Sequence, residues 1–399
     1  MRIYADHAAT TPLRAEAREA MLPYLGAVPA NASSQHAEGR YARAALDGAR
    51  AKVARLLGAG ARDVIFTGGG SEADNLAVMG AARARKFPGA HIVTAATEHP
   101  AVLRACEELA AEGFGVTVLP VDAAGRLSVE RFAAALRPGT VLASVMFANN
   151  ELGTLQPIAE LALAARARGV TFHTDAVQAG ALVPLDVDVL GVDLLSLSGH
   201  KVYGPQGVGV LYARPGMRLT PLALGGGQEN GLRSGTENVA AAVGFATALE
   251  LAVAERPLES ARLTALRDRF EAMVLGWVAG SRVNAASAPR LPNVSSIAFA
   301  GVSAAELLIA LDLAGAAVSA GSACASGAHA GSHVLAALDV PSWVKAGTLR
   351  FSFGKLTGEQ DVERLARMVE DVVAAARVAA SDLGTFYAGS VTSRSEVRS

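Results

Sequence analysis

Continuous runs of mostly apolar residues alternate with helical segments along this 399-residue chain. Residues 64–67, 91–95, 141–147 and 170–174 are such runs, and segments with apolar residues at helical spacing lie between them. Strands that are apolar on both sides are typical of a parallel sheet with helices on both faces. The sequence therefore predicts an α/β fold with a mostly parallel sheet.

The length predicts two domains, because ordinary domains contain about 100–200 residues. We place the boundary near residue 250, so that residues 16–249 form a large domain. Residues 1–15 and 250–399 then form a smaller α/β domain, which carries a loop at about residues 319–333.

A Gly-rich loop at residues 225–236 precedes two predicted long helices, at about 237–254 and 258–278. The last segment, of about fifteen residues, is rich in Ser, Gly and Arg. Chain ends of this kind are poorly ordered unless they are docked, so we expect this one to fray.

Charge and hydrophobicity exclude several classes of function. The formal net charge is -1 and no basic patch or tail is visible, so nucleic acid is not an expected partner. The amino terminus lacks the apolar core of a signal peptide, and the longest uncharged helical stretch, residues 239–249, is far shorter than the roughly 20 residues of a membrane span. Two cysteines, Cys106 and Cys324, make no disulfide framework. We expect a cytoplasmic protein with no membrane contact.

One lysine stands apart from the others. Lys201 follows the apolar run 192–197, and no acidic residue, arginine or other lysine lies between Asp193 and Arg214. Apolar surroundings disfavour the ammonium form, which makes the amine available as a nucleophile for Schiff-base chemistry. The alternative is a lysine whose stem simply packs at the strand end. The other lysines lie on basic helix faces or beside turns: Lys52, Lys86, Lys345 and Lys355.

Three glycines and a serine, residues 68–71, lie between a predicted strand and a predicted helix. Glycines let the backbone approach an anion, and the amino end of a helix offers free N–H groups. We therefore favour a phosphate cradle over a plain helix start with Ser71 as its cap. The segment is neither a Walker A motif nor a complete GxGxxG fingerprint, so ATP and NAD are not favoured.

Two further residues follow predicted strands. Asp175 lies at the carboxyl end of its strand, where ligands bind in open α/β sheets, and could keep a pyridinium nitrogen protonated. Taken alone, Asp175 could equally be a turn residue, and His99, which opens a helix, could be structural. His173 and Asp175 lack a third ligand at metal spacing, so we predict no metal site.

The two cysteines differ in their surroundings. Cys324 lies in a segment of small residues with no bulky side chain, which indicates a loop that presents a reactive thiol. Cys106 lies among apolar residues of a predicted helix and is expected to be structural.

Six motifs in chain order resemble the class I, NifS/IscS-like cysteine desulfurases. These are pyridoxal 5′-phosphate (PLP) enzymes of aminotransferase fold type I, in the class-V aminotransferase family. The motifs are Asp6-His7-Ala8-Ala9-Thr10-Thr11-Pro12, Ser71-Glu72-Ala73-Asp74-Asn75, Asn149-Asn150-Glu151-Leu152-Gly153, Ser198-Gly199-His200-Lys201, Arg233-Ser234-Gly235-Thr236 and Gly321-Ser322-Ala323-Cys324. The resemblance covers about residues 3 to 380.

The resemblance implies roles for individual residues. Lys201 would bind PLP covalently, Asp175 would pair with its pyridinium nitrogen, and His99 would stack on the ring and assist proton transfer. The residues implied near the ring oxygen are Asn150 and Gln178. The residues implied to hold the phosphate are Gly70, Ser71, Ser198, His200 and, across a homodimer interface, Thr236 of the partner subunit. The residues implied to contact the substrate are Asn31, Asn150 and Arg350.

The implied reaction removes sulfur from L-cysteine, releases L-alanine and leaves a persulfide on Cys324. The sulfur would pass to an acceptor such as an iron–sulfur scaffold or a thiolation enzyme, and Cys324 could transiently bind an iron–sulfur unit. Two alternatives stay open at this point: a related PLP lyase or aminotransferase, for instance one acting on selenocysteine, and a scaffold without catalysis.

Overall fold

The structure is a computed structural model that describes residues 2–26, 31–321 and 331–392, with side chains up to residue 379. The strands, in chain order, are β1 (Ile3–Tyr4), β2 (Val64–Thr67), β3 (His91–Ala95), β4 (Gly115–Leu119), β5 (Thr140–Ser144), β6 (Thr171–Asp175), β7 (Leu194–Ser198), β8 (Gly209–Ala213), β9 (Ser281–Val283), β10 (Val294–Phe299), β11 (Ala316–Ala317) and β12 (Thr348–Ser352).

Helices connect most of these strands. The α-helices are α1 (Ala15–Met21), α2 (Ala37–Leu57), α3 (Gly70–Asn75), α4 (Ala81–Ala84), α5 (Pro100–Ala111), α6 (Val129–Ala135), α7 (Ile158–Arg166), α8 (Val187–Leu190), α9 (Val239–Trp277), α10 (Ala304–Ala314), α11 (His333–Ala337), α12 (Ser342–Ala346) and α13 (Glu359–Thr392). A π-helical turn joins α3 to α4 at Leu76–Gly80. Short 3-10 turns occur at Leu22–Tyr24, Ala61–Asp63, Gly199–Lys201 and Gln228–Gly231.

The largest sheet has seven strands in the order β2-β8-β7-β6-β5-β3-β4. Strands β3 to β7 pair in parallel, whereas β8 is antiparallel to both β7 and β2. Only β8 therefore runs against the others in this sheet, and the predicted α/β fold with a mostly parallel sheet is confirmed.

Both faces of this sheet are covered, which explains why its strands lack polar alternation. Neighbouring residues of β2 point to opposite sides: Ile65 packs in an apolar cluster with α3, α4 and α5, while Val64 and Phe66 pack in another with α2, α7 and the first half of α9. Since side chains alternate along a strand, each face must be apolar when helices cover both.

A third apolar cluster lies around the antiparallel sheet β12-β10-β9. It joins that sheet to the second half of α9, to α10 and α13, and to β1 near the amino terminus. The proposed domain boundary near residue 250 lies inside α9 and stays a prediction.

The prediction of two helices at 237–254 and 258–278 is wrong, because α9 is continuous over 39 residues with Pro257 inside it. Proline removes one backbone hydrogen bond but fixes a φ that a helix can use. Packing of α9 against α1, α2 and α13 explains why the helix continues. Helix α13 continues to Thr392, and the expected fraying of the last segment stays a prediction. Within the described residues, no helix combines the length and apolar character needed to cross a membrane.

Candidate active site

One pocket, at the carboxyl ends of β6 and β7, brings together ten of the residues singled out in the sequence. They are Gly70, Ser71, His99, Asn150, Asp175, Gln178, Ser198, His200, Lys201 and Arg350. The same pocket is lined by residues that were not singled out as site residues: Ala8, Ala9, Asp74, Met146 and Val177. Ligands of open α/β sheets bind at this edge, so the fold accounts for the place of the pocket.

The position of Lys201 follows from the end of β7. The strand stops at Ser198, and a 3-10 turn, Gly199–Lys201, carries the lysine into the pocket. The turn requires glycine, since a Cβ on Gly199 would lie 2.6 Å from the carbonyl oxygen of Pro205. The Nζ of Lys201 donates to the carbonyl oxygens of Ala8 at 2.5 Å and Ala9 at 2.8 Å.

Hydrogen bonds join the amino-terminal segment that supplies these carbonyls to the turn that carries Lys201. The Thr11 hydroxyl donates to the carbonyl of His200 at 2.9 Å and accepts from the N–H of Tyr203 at 2.8 Å. The Gln178 amide donates to the carbonyl of Ala8 at 2.9 Å. The motif around Ala8 was visible in the sequence, but backbone carbonyls carry no residue-type signal, so their role was missed.

Asp175 ends β6 and is buried in the pocket wall, where its Oδ1 accepts from the N–H of Val177 at 2.9 Å. Burial raises the pKa of Asp175, while the positive charges of His99 and Lys201 oppose this shift. A buried carboxylate facing two basic groups is suited to hold a cationic ring nitrogen.

Two more buried carboxyls lie near Asp175. Burial, followed by the charge of Asp175, raises the pKa of Asp74 well above its usual range. Burial likewise raises the pKa of Glu98, whose Oε1 accepts from the N–H of Met146 at 2.8 Å. Among the described residues, one oxygen of each of these two side chains has no hydrogen-bond partner. Both shifts favour the neutral acid over the carboxylate at these two positions.

His99 begins α5, and its Nδ1 accepts from the N–H of Ala101 at 3.2 Å. This bond requires Nδ1 to be without a proton, so a neutral ring carries its proton on Nε2. Burial lowers the pKa of His99, although the charge of Asp175 raises it.

The glycine segment before α3 forms an open backbone surface on the other side of the pocket. Gly69 has a φ of 155°, a conformation that favours glycine, and a Cβ on Gly70 would lie 2.7 Å from Cγ2 of Val177. A side chain at Gly70 would therefore collide with Val177, and one at Gly69 would strain the backbone. His200 lies beside this surface, and burial lowers its pKa to about 4, so its ring is neutral at pH 7.

Arg350, from the middle of β12, enters the pocket from the side of the third apolar cluster and is 2% exposed. Its Nη1 donates to the carbonyl of Asn150 at 2.7 Å, and its Nη2 donates to Oδ1 of Asp6 at 2.7 Å. The guanidinium thus lies opposite Lys201 in one pocket although the two residues come from different sheets.

Two of the predicted site residues that the structure describes are not in this pocket. Thr236 and Asn31 are exposed and do not line it. The loop that carries Thr236 is held by a bidentate pair of Arg50 with the buried Glu229, with both N–O distances 2.6 Å. Cys324 lies outside the described residues.

The family model described as "Aminotransferase class-V" matches residues 3–365 of this chain. The chain belongs to the aminotransferase class-V family.

Two curated relatives illustrate this similarity. The chain is 46% identical over 371 residues to "Cysteine desulfurase IscS" of Dictyoglomus turgidum, a match that spans 93% of this chain and 94% of that protein. It is 43% identical over 376 residues to "Cysteine desulfurase NifS" of Azotobacter vinelandii, spanning 94% of this chain and 93% of that protein. A solved structure described as a NifS-like protein superposes with a TM-score of 0.87 at 33% identity, covering 94% of this chain and 100% of that one.

Proposed function

We propose that this class-V protein is a PLP-dependent cysteine desulfurase that works as a homodimer in the cytoplasm. It removes sulfur from L-cysteine, releases L-alanine and passes the sulfur to an acceptor through a persulfide on Cys324. One observation carries the proposal: Lys201, Asp175, His99 and Arg350 converge on a single pocket although they come from four separate segments. The names of the relatives at 43–46% identity point to the same activity.

The residues of the pocket fit PLP. The glycine backbone at Gly69 and Gly70 suits the phosphate, together with Ser71, Ser198 and His200, because Gly69 has a φ of 155° and a Cβ on Gly70 would collide with Val177. The buried carboxylate of Asp175 suits the pyridinium nitrogen, and His99, which lines the same pocket, would stack on the ring. The residues proposed to contact the ring oxygen and its surroundings are Asn150 and Gln178. When bound, PLP supplies an electron sink for negative charge that develops at the substrate Cα.

The protein's own groups then have distinct tasks. Arg350 binds the substrate carboxylate through the planar guanidinium, which matches a carboxylate bidentately, and Asn31 is a proposed second contact. The amine of Lys201 takes the Cα proton, and His99 assists proton transfer with the proton on its Nε2. Because burial favours the neutral acid at Asp74 and Glu98, Asp175 is the carboxylate of this wall that would face the ring nitrogen.

The sulfur step belongs to Cys324. Its thiolate attacks the substrate sulfur, so a sulfur–sulfur bond forms while the substrate carbon–sulfur bond breaks. The electron pair of the broken bond stays with the substrate carbon, which takes a proton to become alanine. Cys324 keeps the transferred sulfur as a persulfide, which an acceptor thiol can remove. An iron–sulfur scaffold or a thiolation enzyme would be such an acceptor.

Two cysteine variants test this function. Cys324→Ala should still bind PLP and L-cysteine but release alanine at a small fraction of the normal rate and form no persulfide. Cys106→Ala should stay near wild type, because Cys106 is buried and burial raises the pKa of its thiol to about 12. Alanine release and mass spectrometry of the peptide that contains Cys324 measure both effects. Normal alanine release by Cys324→Ala would instead favour a lyase or aminotransferase, including one that acts on selenocysteine.

A further inference from the structure

Arg350 is already paired before any substrate is considered. The guanidinium is 2% exposed, and its Nη2 donates to Oδ1 of Asp6 at 2.7 Å. Nη1 donates one N–H to the carbonyl of Asn150. The N–H of Nε has no acceptor among the described residues. Since a guanidinium has five N–H donors, several stay available to a second carboxylate. An arriving carboxylate therefore meets an arginine whose charge is compensated.

Asp6 is held in this position by the backbone. It forms a bridge with Ser352 of the strand that carries Arg350, and the Tyr4 hydroxyl donates to the Asp6 carbonyl at 3.0 Å. The N–H of Ser352 in turn donates to the carbonyl of Ala5 at 2.7 Å. The Asp6 side chain is 17% exposed, so its charge acts on Arg350 with little screening by water. Nothing in the proposed reaction uses Asp6.

We propose that Asp6 sets the affinity of Arg350 for substrate carboxylates. In the pocket without substrate, Asp6 neutralises and orients a buried guanidinium that would otherwise carry an uncompensated charge. Once a carboxylate binds, Asp6 repels it and limits the affinity. Asp6 thus stabilises the empty pocket and lowers its affinity for carboxylates, so that carboxylate products leave. The inference rests on the proposed function only in taking the substrate to be a carboxylate.

This arrangement predicts opposite effects on stability and on binding. Asp6→Asn keeps an oxygen that can accept from Nη2 but removes the negative charge. The variant should bind a carboxylate on the order of tenfold more tightly, because one like charge close to the ligand is gone. It should also unfold at a lower temperature in the absence of carboxylate, because a buried charge loses its partner.

The test uses the full-length protein loaded with PLP, with propionate as the probe. Propionate has a carboxylate but no thiol or amine, so its binding does not depend on whether cysteine is the substrate. Calorimetric titration gives the propionate Kd, and thermal unfolding gives the Tm with and without propionate. Propionamide serves as the neutral ligand. Asp312→Asn is the matched variant, since Asp312 pairs with Arg2 where both side chains are exposed.

We expect Asp6→Asn to lower the propionate Kd and the Tm together, and added propionate to reduce the difference in Tm from wild type. Asp6→Ala, which removes the acceptor as well, should lower the Tm further. Asp312→Asn and propionamide binding should not change. A propionate Kd that is unchanged or higher in Asp6→Asn would overturn the proposal, and so would propionate binding that survives in Arg350→Gln. Failure of cysteine as a substrate would contradict the proposed function and leave this result intact.

Discussion

The Nζ of Lys201 donates to the carbonyl oxygen of Ala8 at 2.5 Å across 193 residues of sequence. A second bond, to the carbonyl of Ala9 at 2.8 Å, fixes the side chain further. These bonds orient the amine into the pocket that also contains Asp175, and they explain why the amino-terminal motif belongs to the site.

Reduction with borohydride should attach PLP to Lys201 alone. The other four lysines lie outside the pocket, so they should carry no label. Peptide mapping after reduction measures this, and the visible absorption of the loaded protein should be lost in Lys201→Ala. Lys355→Ala is the control, because Lys355 pairs with Glu255 at 2.8 Å and does not line the pocket. A label on Lys52, Lys86, Lys345 or Lys355 would contradict the assignment of Lys201.

Asp175→Asn and Asp74→Asn should behave differently, although both residues are buried and both line the pocket. Asp175→Asn removes the charge proposed to pair with the ring nitrogen, so the rate should fall about 10- to 100-fold. Asp74→Asn should remove little charge, since burial and the charge of Asp175 raise the Asp74 pKa well above its usual range and favour the neutral acid. Its rate should stay within about threefold of wild type. Steady-state rates with L-cysteine compare the two, and an equal loss would mean that Asp74 is charged.

His173 should make the protein less stable as the pH falls below about 6.5. Burial lowers its pKa to about 3, and its ring nitrogens bond to the hydroxyls of Ser144 at 2.8 Å and Ser196 at 3.0 Å. In the unfolded chain a histidine titrates near 6.5, so between about pH 6.5 and 3 only the unfolded state takes up this proton. The free energy of unfolding should therefore fall by up to about 1.4 kcal/mol per pH unit from this group alone.

Urea unfolding at several pH values measures this slope. His173→Gln should be less stable at pH 7, because it disturbs two buried hydrogen bonds, but its stability should depend less on pH over the same interval. Asp74, whose Oδ1 lies 3.7 Å from Nε2 of His173, is present in both proteins and does not account for the difference. An unchanged slope in His173→Gln would show that His173 titrates normally in the folded state.

Thr236 should act on the site of the partner subunit. Its side chain is exposed and does not line the pocket of its own chain. Thr236→Ala should weaken PLP binding about tenfold, the size expected for one bond to a phosphate. Mixing Thr236→Ala with Lys201→Ala under subunit exchange should regenerate one site with neither change in each hybrid dimer. Recovery of PLP binding and activity measures this, and no recovery despite confirmed exchange would place Thr236 outside a shared site.

The sequence by itself determined the features that depend on neighbouring residues. Unbroken apolar runs predicted a sheet covered on both faces. The structure confirms this, because Ile65 and Phe66 of one strand pack in two different apolar clusters. Lys201, Asp175 and the glycines at residues 68–70 could be found because each follows a strand with a distinct local composition. At the carboxyl edge of a parallel sheet, such residues must come close together.

Other features were decided by tertiary structure alone. The Asp6–Arg350 pair spans 344 residues, and the carbonyl of Ala8 is chemically the same as any other, so no local pattern marks either contact. The raised pKa values of Asp74 and Glu98 follow from burial beside Asp175, which a sequence does not display. Pro257 was expected to lie between two helices, yet packing on three neighbouring helices keeps α9 continuous. Charge, protonation and helix length here depend on what surrounds a residue in space, and only the folded chain specifies those surroundings.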